Sequence, residues 1–250
     1  MPLAVADAIY CSLTVILVIA LAASALYVCR LPRTFVNVIG LATLVLVSRP
    51  GHVNLLAGQP TLLIVLGAVW ALELARQRPN WAGVALAVTT LKPTFGVPFV
   101  WLMFCRRDFR AVIVGMVLTV ATIAVGLAPF IARDGFHSVL ISLKEGQAQH
   151  EADPTVSAQS TWTRLDGHAL LGKLSPTQPN NAFNLVFTAA ILLSAGWLLW
   201  RTRLGPLTEG ADNLASLLIC TTALICIYHA TYDALLLVVP WMGVAFGRLG

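Results

Sequence analysis

VADAIYCSLTVILVIALAASALYVC, residues 5–29, holds a single charged side chain, Asp7, and runs directly into Arg30-Leu-Pro-Arg33. At ~1.5 Å of rise per residue, ~20 apolar residues cross the ~30 Å hydrocarbon layer of a bilayer, and this stretch is long enough to do so. It is too long for the apolar region of a signal peptide and has no basic segment before it, so the sequence predicts a retained membrane helix. Working outward, further apolar stretches follow near 35–47, 61–75, 81–91, 94–104, 111–131, 182–200, 212–228 and 234–247. The expectation is an all-α polytopic membrane protein: a single membrane domain over 1–250, about nine membrane segments, and one long loop over 132–181.

Composition agrees. With 58% apolar and only 11% charged residues and a mean hydropathy of +0.82, soluble globular, disordered and disulfide-scaffold classes are excluded. The five cysteines, Cys11, Cys29, Cys105, Cys220 and Cys226, lie in or at the ends of apolar stretches and imply neither a disulfide framework nor a metal site. A net charge of +5 without a basic stripe of interleaved aromatics reads as loop charge that orients the chain, and not as a nucleic-acid surface. Arg30, Arg33, Arg76, Arg78, Arg106, Arg107, Arg110, Arg201, Arg203 and Arg248 fall on one side of the predicted topology. Arg49, Lys92, Arg133, Lys144, Arg164 and Lys173 fall on the other. The positive-inside rule makes the first side cytoplasmic. The expected location is the plasma membrane, multi-pass, with all five histidines and most acids on the extracytoplasmic face.

Breaks between stretches come from proline, glycine and arginine. Residues 48–60, Ser-Arg-Pro-Gly-His-Val-Asn-Leu-Leu-Ala-Gly-Gln-Pro, read as a loop at the membrane edge, with a re-entrant segment as the alternative, because two prolines and two glycines oppose regular helix. Arg76-Gln-Arg78-Pro79 and Lys92-Pro93 mark two more turns. In the long loop, Val139, Leu140 and Leu143 share a helical face, which predicts a segment around Ser138 to Gln147 lying along the interface.

Four places carry candidate chemistry. A lysine at membrane depth costs about 2.5–3.5 kcal/mol on insertion scales, so Lys92 either snorkels to the headgroups or meets an anion such as a lipid phosphate. Gly58-Gln59-Pro60 offers an amide at a bared helix start, suited to phosphate or sugar hydroxyls, and reads equally as a plain helix-start turn. In Tyr228-His229-Ala-Thr-Tyr232-Asp233, His229 and Asp233 share a face if helix persists; Asp233 alternatively caps the last helix. Gln159-Ser160-Thr-Trp162-Thr-Arg164 combines hydrogen-bonding groups, an aromatic face suited to sugar, and a cation, with Trp162 also reading as an interfacial anchor. The outer histidines and carboxylates fit no tight metal-ligand spacing, and no nucleotide or dinucleotide motif is present.

The order of these features, Gly58-Gln59, an apolar helix ending in basic residues, then Ala82-Gly83-Val-Ala-Leu-Ala-Val-Thr-Thr-Leu-Lys92-Pro93 and a helix ending in Arg106-Arg107, resembles glycosyltransferase family 87. These are GT-C membrane enzymes that include polyprenyl-phosphate-mannose-dependent mannosyltransferases. Gln59 to Arg107 is the specific part; His229 to Pro240 also looks like a late outer-edge motif of the family. The resemblance implies a GT-C-like fold and an inverting transfer of a hexose, mannose foremost. The donor would be a polyprenyl-phosphate sugar, and the acceptor a hydroxyl of a glycolipid or polysaccharide on the extracytoplasmic side.

The resemblance further implies that Lys92, Gln59 and His229 surround the donor phosphate, with Asp233 and Arg164 contributing. The lipid-linked donor is a substrate, and no cofactor or metal is expected. A carboxylate base is expected on a first outer loop N-terminal to this chain, so the catalytic base is unassigned; Asp7 reads as a helix-start residue. The competing classes are a transporter or lipid flippase, which a pair of matching broken-helix halves would signal, and a non-catalytic subunit of a glycosyltransferase assembly.

Overall fold

In the computed structural model, residues 3–152, 163–174, 181–202 and 209–246 are described, and among them the chain is helical without a strand. Twelve helices follow in order: α1 Leu3–Val28, α2 Phe35–Val47, α3 Arg49–Ala57, α4 Thr61–Leu74, α5 Pro79–Thr89, α6 Pro93–Cys105, α7 Phe109–Asp134, α8 Phe136–Ala152, α9 Gly167–Leu174, α10 Asn181–Thr202, α11 Glu209–Cys226 and α12 Val238–Ala245. A 3-10 segment, Thr231–Leu237, leads into α12.

Three helices are long and apolar enough to cross a membrane alone: Val5–Val28, Phe109–Asp134 and Ala182–Thr202. The bent pair α2–α3 is either a fourth, broken span or a re-entrant loop, and shorter apolar helices include Thr61–Leu74 and Pro93–Cys105. A 14-residue helix such as α4 rises only ~21 Å, short of the ~30 Å layer. The long helices leave apolar side chains outward, among them Leu13 and Ile16 on α1 and Ile113, Val117 and Val125 on α7. In lipid such a surface needs no further cover.

One reading of the sequence is corrected here. Within 48–60, residues Arg49–Ala57 are helical and turn 70° from α2. Pro50 stands in the first turn of α3, where its missing N–H costs nothing. The Ser48 hydroxyl accepts a hydrogen bond from Gly51 N–H at 3.3 Å and caps the helix start. Gly51 permits the bend itself, because a Cβ there would lie 1.9 Å from the Val45 carbonyl oxygen. In the long loop the helical segment expected around Ser138 to Gln147 is present within α8, and α9 follows.

Packing is tightest where side chains are small. Gly83 of α5 faces α7 so closely that a Cβ would sit 2.6 Å from Val114, and small residues at such crossings let transmembrane helices approach. The buried core runs from Leu21 on α1 through Leu62, Leu86, Phe95, Phe99 and Met103 to Ile219, Leu235 and Leu236. The 3-10 segment touches α3, α4, α11 and α12 and is thereby held at the centre of the bundle. Hydrogen bonds tie α1 to its neighbours, from Tyr10 OH to the Asn54 carbonyl at 2.9 Å and from Trp70 Nε1 to Ser24 Oγ at 3.2 Å.

Candidate functional site

Pro93 holds its predecessor in extended backbone, and Lys92 accordingly has φ −110° and ψ 104° at the junction of α5 and α6. Its carbonyl accepts the Phe95 and Gly96 N–H groups that open α6. The side chain ends on Asp233. Lys92 Nζ lies 2.6 and 2.7 Å from the two carboxylate oxygens. The lysine side chain keeps 19% exposure while Asp233 has none. The ammonium also rests against two ring faces, Phe95 at 5.1 Å and Tyr232 at 5.0 Å from the centroids, a favourable place for a cation.

His229 completes the cluster. Its Nδ1 lies 3.0 Å from Asp233 Oδ2; an ionised carboxylate only accepts, so Nδ1 carries the proton in this bond. The fully buried ring stands edge-on to Phe95 at 4.5 Å, and Nε2 has no hydrogen-bond partner. Asp233 also accepts from Ala230 N–H at 3.0 Å and, at a longer 3.4 Å, from the Thr61 hydroxyl. One carboxylate thus fixes a lysine 141 residues away, a histidine four residues away and the start of α4. Asp233 caps the start of the 3-10 segment and not the last helix, whose N-cap is Leu237 without a side-chain cap.

The shared helical face expected for His229 and Asp233 is not what joins them. Helix α11 stops at Cys226 and the 3-10 segment starts only at Thr231, with Ala230 extended at φ −98° and ψ 169°. What straightens this link is a short antiparallel pairing with residues 163–165. Leu165 N–H donates to the His229 carbonyl at 2.9 Å, and Thr231 N–H donates to the Thr163 carbonyl at 2.7 Å. Local pairing has won over helix propagation, and it delivers the imidazole to Asp233 by a different route.

Arg164 reaches the site through the same pairing, but its guanidinium is committed. Nε and Nη2 each bond a different oxygen of Asp166 at 2.8 Å, and the group lies 4.6 Å over the Tyr228 ring. Asp166 in turn caps α9 through Ala169 N–H at 2.9 Å and accepts His229 N–H at 3.3 Å. The arrangement braces the histidine's backbone. Gln59 is half-buried in the turn two residues before Thr61. Gln159, Ser160 and Trp162 lie outside the described residues, as do Arg203 and Arg248.

The sequence reading gave no role to Asp166, Thr61, Phe95 or Tyr232, although Tyr232 stands in the quoted 228–233 cluster. Of these only Asp166 had a local signal, an acid directly ahead of a helix start. Among the described residues no three His, Cys, Asp or Glu side chains come together as a metal would need, and all five cysteines are free thiols.

Helices able to cross a membrane, in one fold with a partly exposed lysine paired to a buried aspartate and histidine, define a helical membrane protein with an internal polar site. The chain belongs to glycosyltransferase family 87, whose sequence model matches residues 1–228. It is therefore a membrane protein of a sugar-transferring class. The match takes in Gln59, Lys92 and Arg164 and ends just before His229 and Asp233, so the likeness expected for His229 to Pro240 is not part of it. No curated protein and no solved structure matches the chain.

Proposed function

We propose that this glycosyltransferase moves a hexose, mannose foremost, from a polyprenyl-phosphate donor to a hydroxyl of a glycolipid or polysaccharide acceptor on the extracytoplasmic side of the plasma membrane. The observation that carries the reading is the cluster Lys92–Asp233–His229. A partly exposed ammonium is held rigidly between two aromatic faces, beside a buried imidazole whose Nε2 is unengaged. A leaving phosphate needs such a group.

In an inverting transfer the acceptor oxygen attacks the anomeric carbon as the bond from that carbon to the phosphate oxygen breaks. The electron pair departs on the lipid phosphate, and the acceptor proton passes to a carboxylate base. Charge grows on the phosphate, and preorganised cationic donors stabilise it most where water is scarce. Lys92 supplies one such donor, and His229 supplies a second when its Nε2 as well as its Nδ1 carries a proton. Asp233 is the positioning residue: its oxygens are taken by Lys92, His229, Ala230 and Thr61. Arg164 and Asp166 hold the His229 backbone, and Gln59 stands at the adjoining turn to contact phosphate or sugar. The lipid-linked sugar is already activated, and no cofactor enters this reading.

Transfer of radiolabelled mannose from polyprenyl-phosphate mannose, measured in membranes carrying the protein, tests it. Lys92→Ala is expected to lower transfer by about a hundredfold or more, the usual scale for a donor that meets developing charge. Unchanged transfer in a variant that is inserted and folded contradicts the role of the lysine.

A further inference from the structure

Asn54 sits on α3 with 1% exposure, and neither its amide nitrogen nor its amide oxygen has a hydrogen-bond partner. A buried primary amide left wholly unsatisfied is costly, and native proteins rarely keep one without a use. Five buried side-chain polar atoms among the described residues lack partners: the two of Asn54, Thr94 Oγ1, His229 Nε2 and Arg107 Nε. Arg107 follows the far end of α6 and stacks on Trp200 at 4.2 Å. The other four belong to elements that surround Lys92 and Asp233. Thr94 lies two residues after Lys92, and His229 binds Asp233 directly. Helix α3 packs on the 3-10 segment that carries Asp233, and it leads through Gly58 and Gln59 to Thr61, which touches the same carboxylate.

We propose that Asn54 is a sugar-binding residue, its amide reading hydroxyls of the donor hexose while Lys92 and His229 hold the phosphate. The proposal rests on the donor reading above and adds a subsite to it. An amide offers a donor and an acceptor side by side, which matches a pair of neighbouring sugar hydroxyls, each able to give and to take a hydrogen bond. It is neutral, so it recognises the sugar without competing for the phosphate. The bend at Gly51 and the capping by Ser48 are what turn α3 inward and bring this polar side chain into the bundle.

The test is equilibrium binding of two probes, bare polyprenyl phosphate and polyprenyl-phosphate mannose, to the full chain in nanodiscs. The wild type is expected to bind the sugar-bearing lipid more tightly. Asn54→Leu, close in volume, is expected to weaken the sugar-bearing lipid about tenfold and leave the bare lipid unchanged, since the net worth of one hydrogen bond is of this scale. Its melting temperature should hold or rise, because an apolar group replaces an unsatisfied one; a merely structural asparagine would lower it. Asn54→Ala gives the same readout should leucine crowd the site.

Lys92→Ala should weaken both lipids. If it does and Asn54→Leu keeps the wild-type preference for the sugar, the subsite is wrong and the donor reading stands. If Lys92→Ala alters neither lipid, the donor reading itself fails. A wild type that binds both lipids equally also overturns the subsite.

Discussion

Asp233 has no exposure, yet it carries a charge and accepts hydrogen bonds from Lys92, His229, Ala230 and Thr61. Such a carboxylate is sustained only by its partners, and the partners by it. Asp233→Ala leaves Lys92 without its counter-ion and His229 Nδ1 without its acceptor. The expected cost is about 3–5 kcal/mol, the range for breaking a buried pair from one side. Thermal unfolding in detergent checks it, and transfer should fall in the same variant. Asp233→Asn keeps the shape and most hydrogen bonds, so it should unfold at a higher temperature than Asp233→Ala while transfer stays low; equal stability of the alanine variant and the wild type would refute the role given to Asp233.

At this scale the sequence was partly legible. Lys92, His229 and Asp233 stood out because a polar group at a membrane edge is expensive and so needs a reason. That Lys92 pairs with Asp233 did not show, since nothing local encodes a contact across 141 residues. Asn54 was hidden by its setting, a Pro- and Gly-rich stretch that reads as loop.

The bent pair α2–α3 decides where α4 begins, and thereby where Thr61 meets Asp233. Gly51→Ala should push the two helices apart, because the added methyl would meet the Val45 carbonyl far inside contact distance. Overpacking of this kind costs about 1–3 kcal/mol, read as a lower melting temperature, with weaker donor binding because α3 and α4 shift together. A variant as stable and active as the wild type would show that the bend plays no part in the site. Proline marked the breaks well: Pro79 and Pro93 lie at turns, as the sequence suggested, and each stands in the first turn of the helix that follows. Pro50 misled, because the same residue that ends one helix opens the next when a serine cap precedes it. The link before the 3-10 segment was not legible either, for its straightness comes from pairing with residues 163–165, more than sixty positions earlier.

Over the whole molecule, the membrane class was readable from the apolar stretches, but their arrangement was not. Helices that are apolar nearly all round, such as α4 and α6, do not announce which face is inward; small residues such as Gly83 do so only once a neighbour is known. The site is a product of that arrangement. It joins the α5–α6 junction, the start of α4, the 163–166 segment and the 228–233 link, which are far apart in the chain and meet only in the folded bundle. Membership of glycosyltransferase family 87 rests on residues 1–228, whereas the carboxylate that organises the cluster lies beyond them.

The central claim is therefore that this assembled cluster receives the donor phosphate. A structure of the protein with polyprenyl-phosphate mannose bound tests it most directly. The account predicts a phosphate oxygen within about 3 Å of both Lys92 Nζ and His229 Nε2. A donor phosphate seated elsewhere, with the Lys92–Asp233 pair untouched and His229 Nε2 still without a partner, would contradict it.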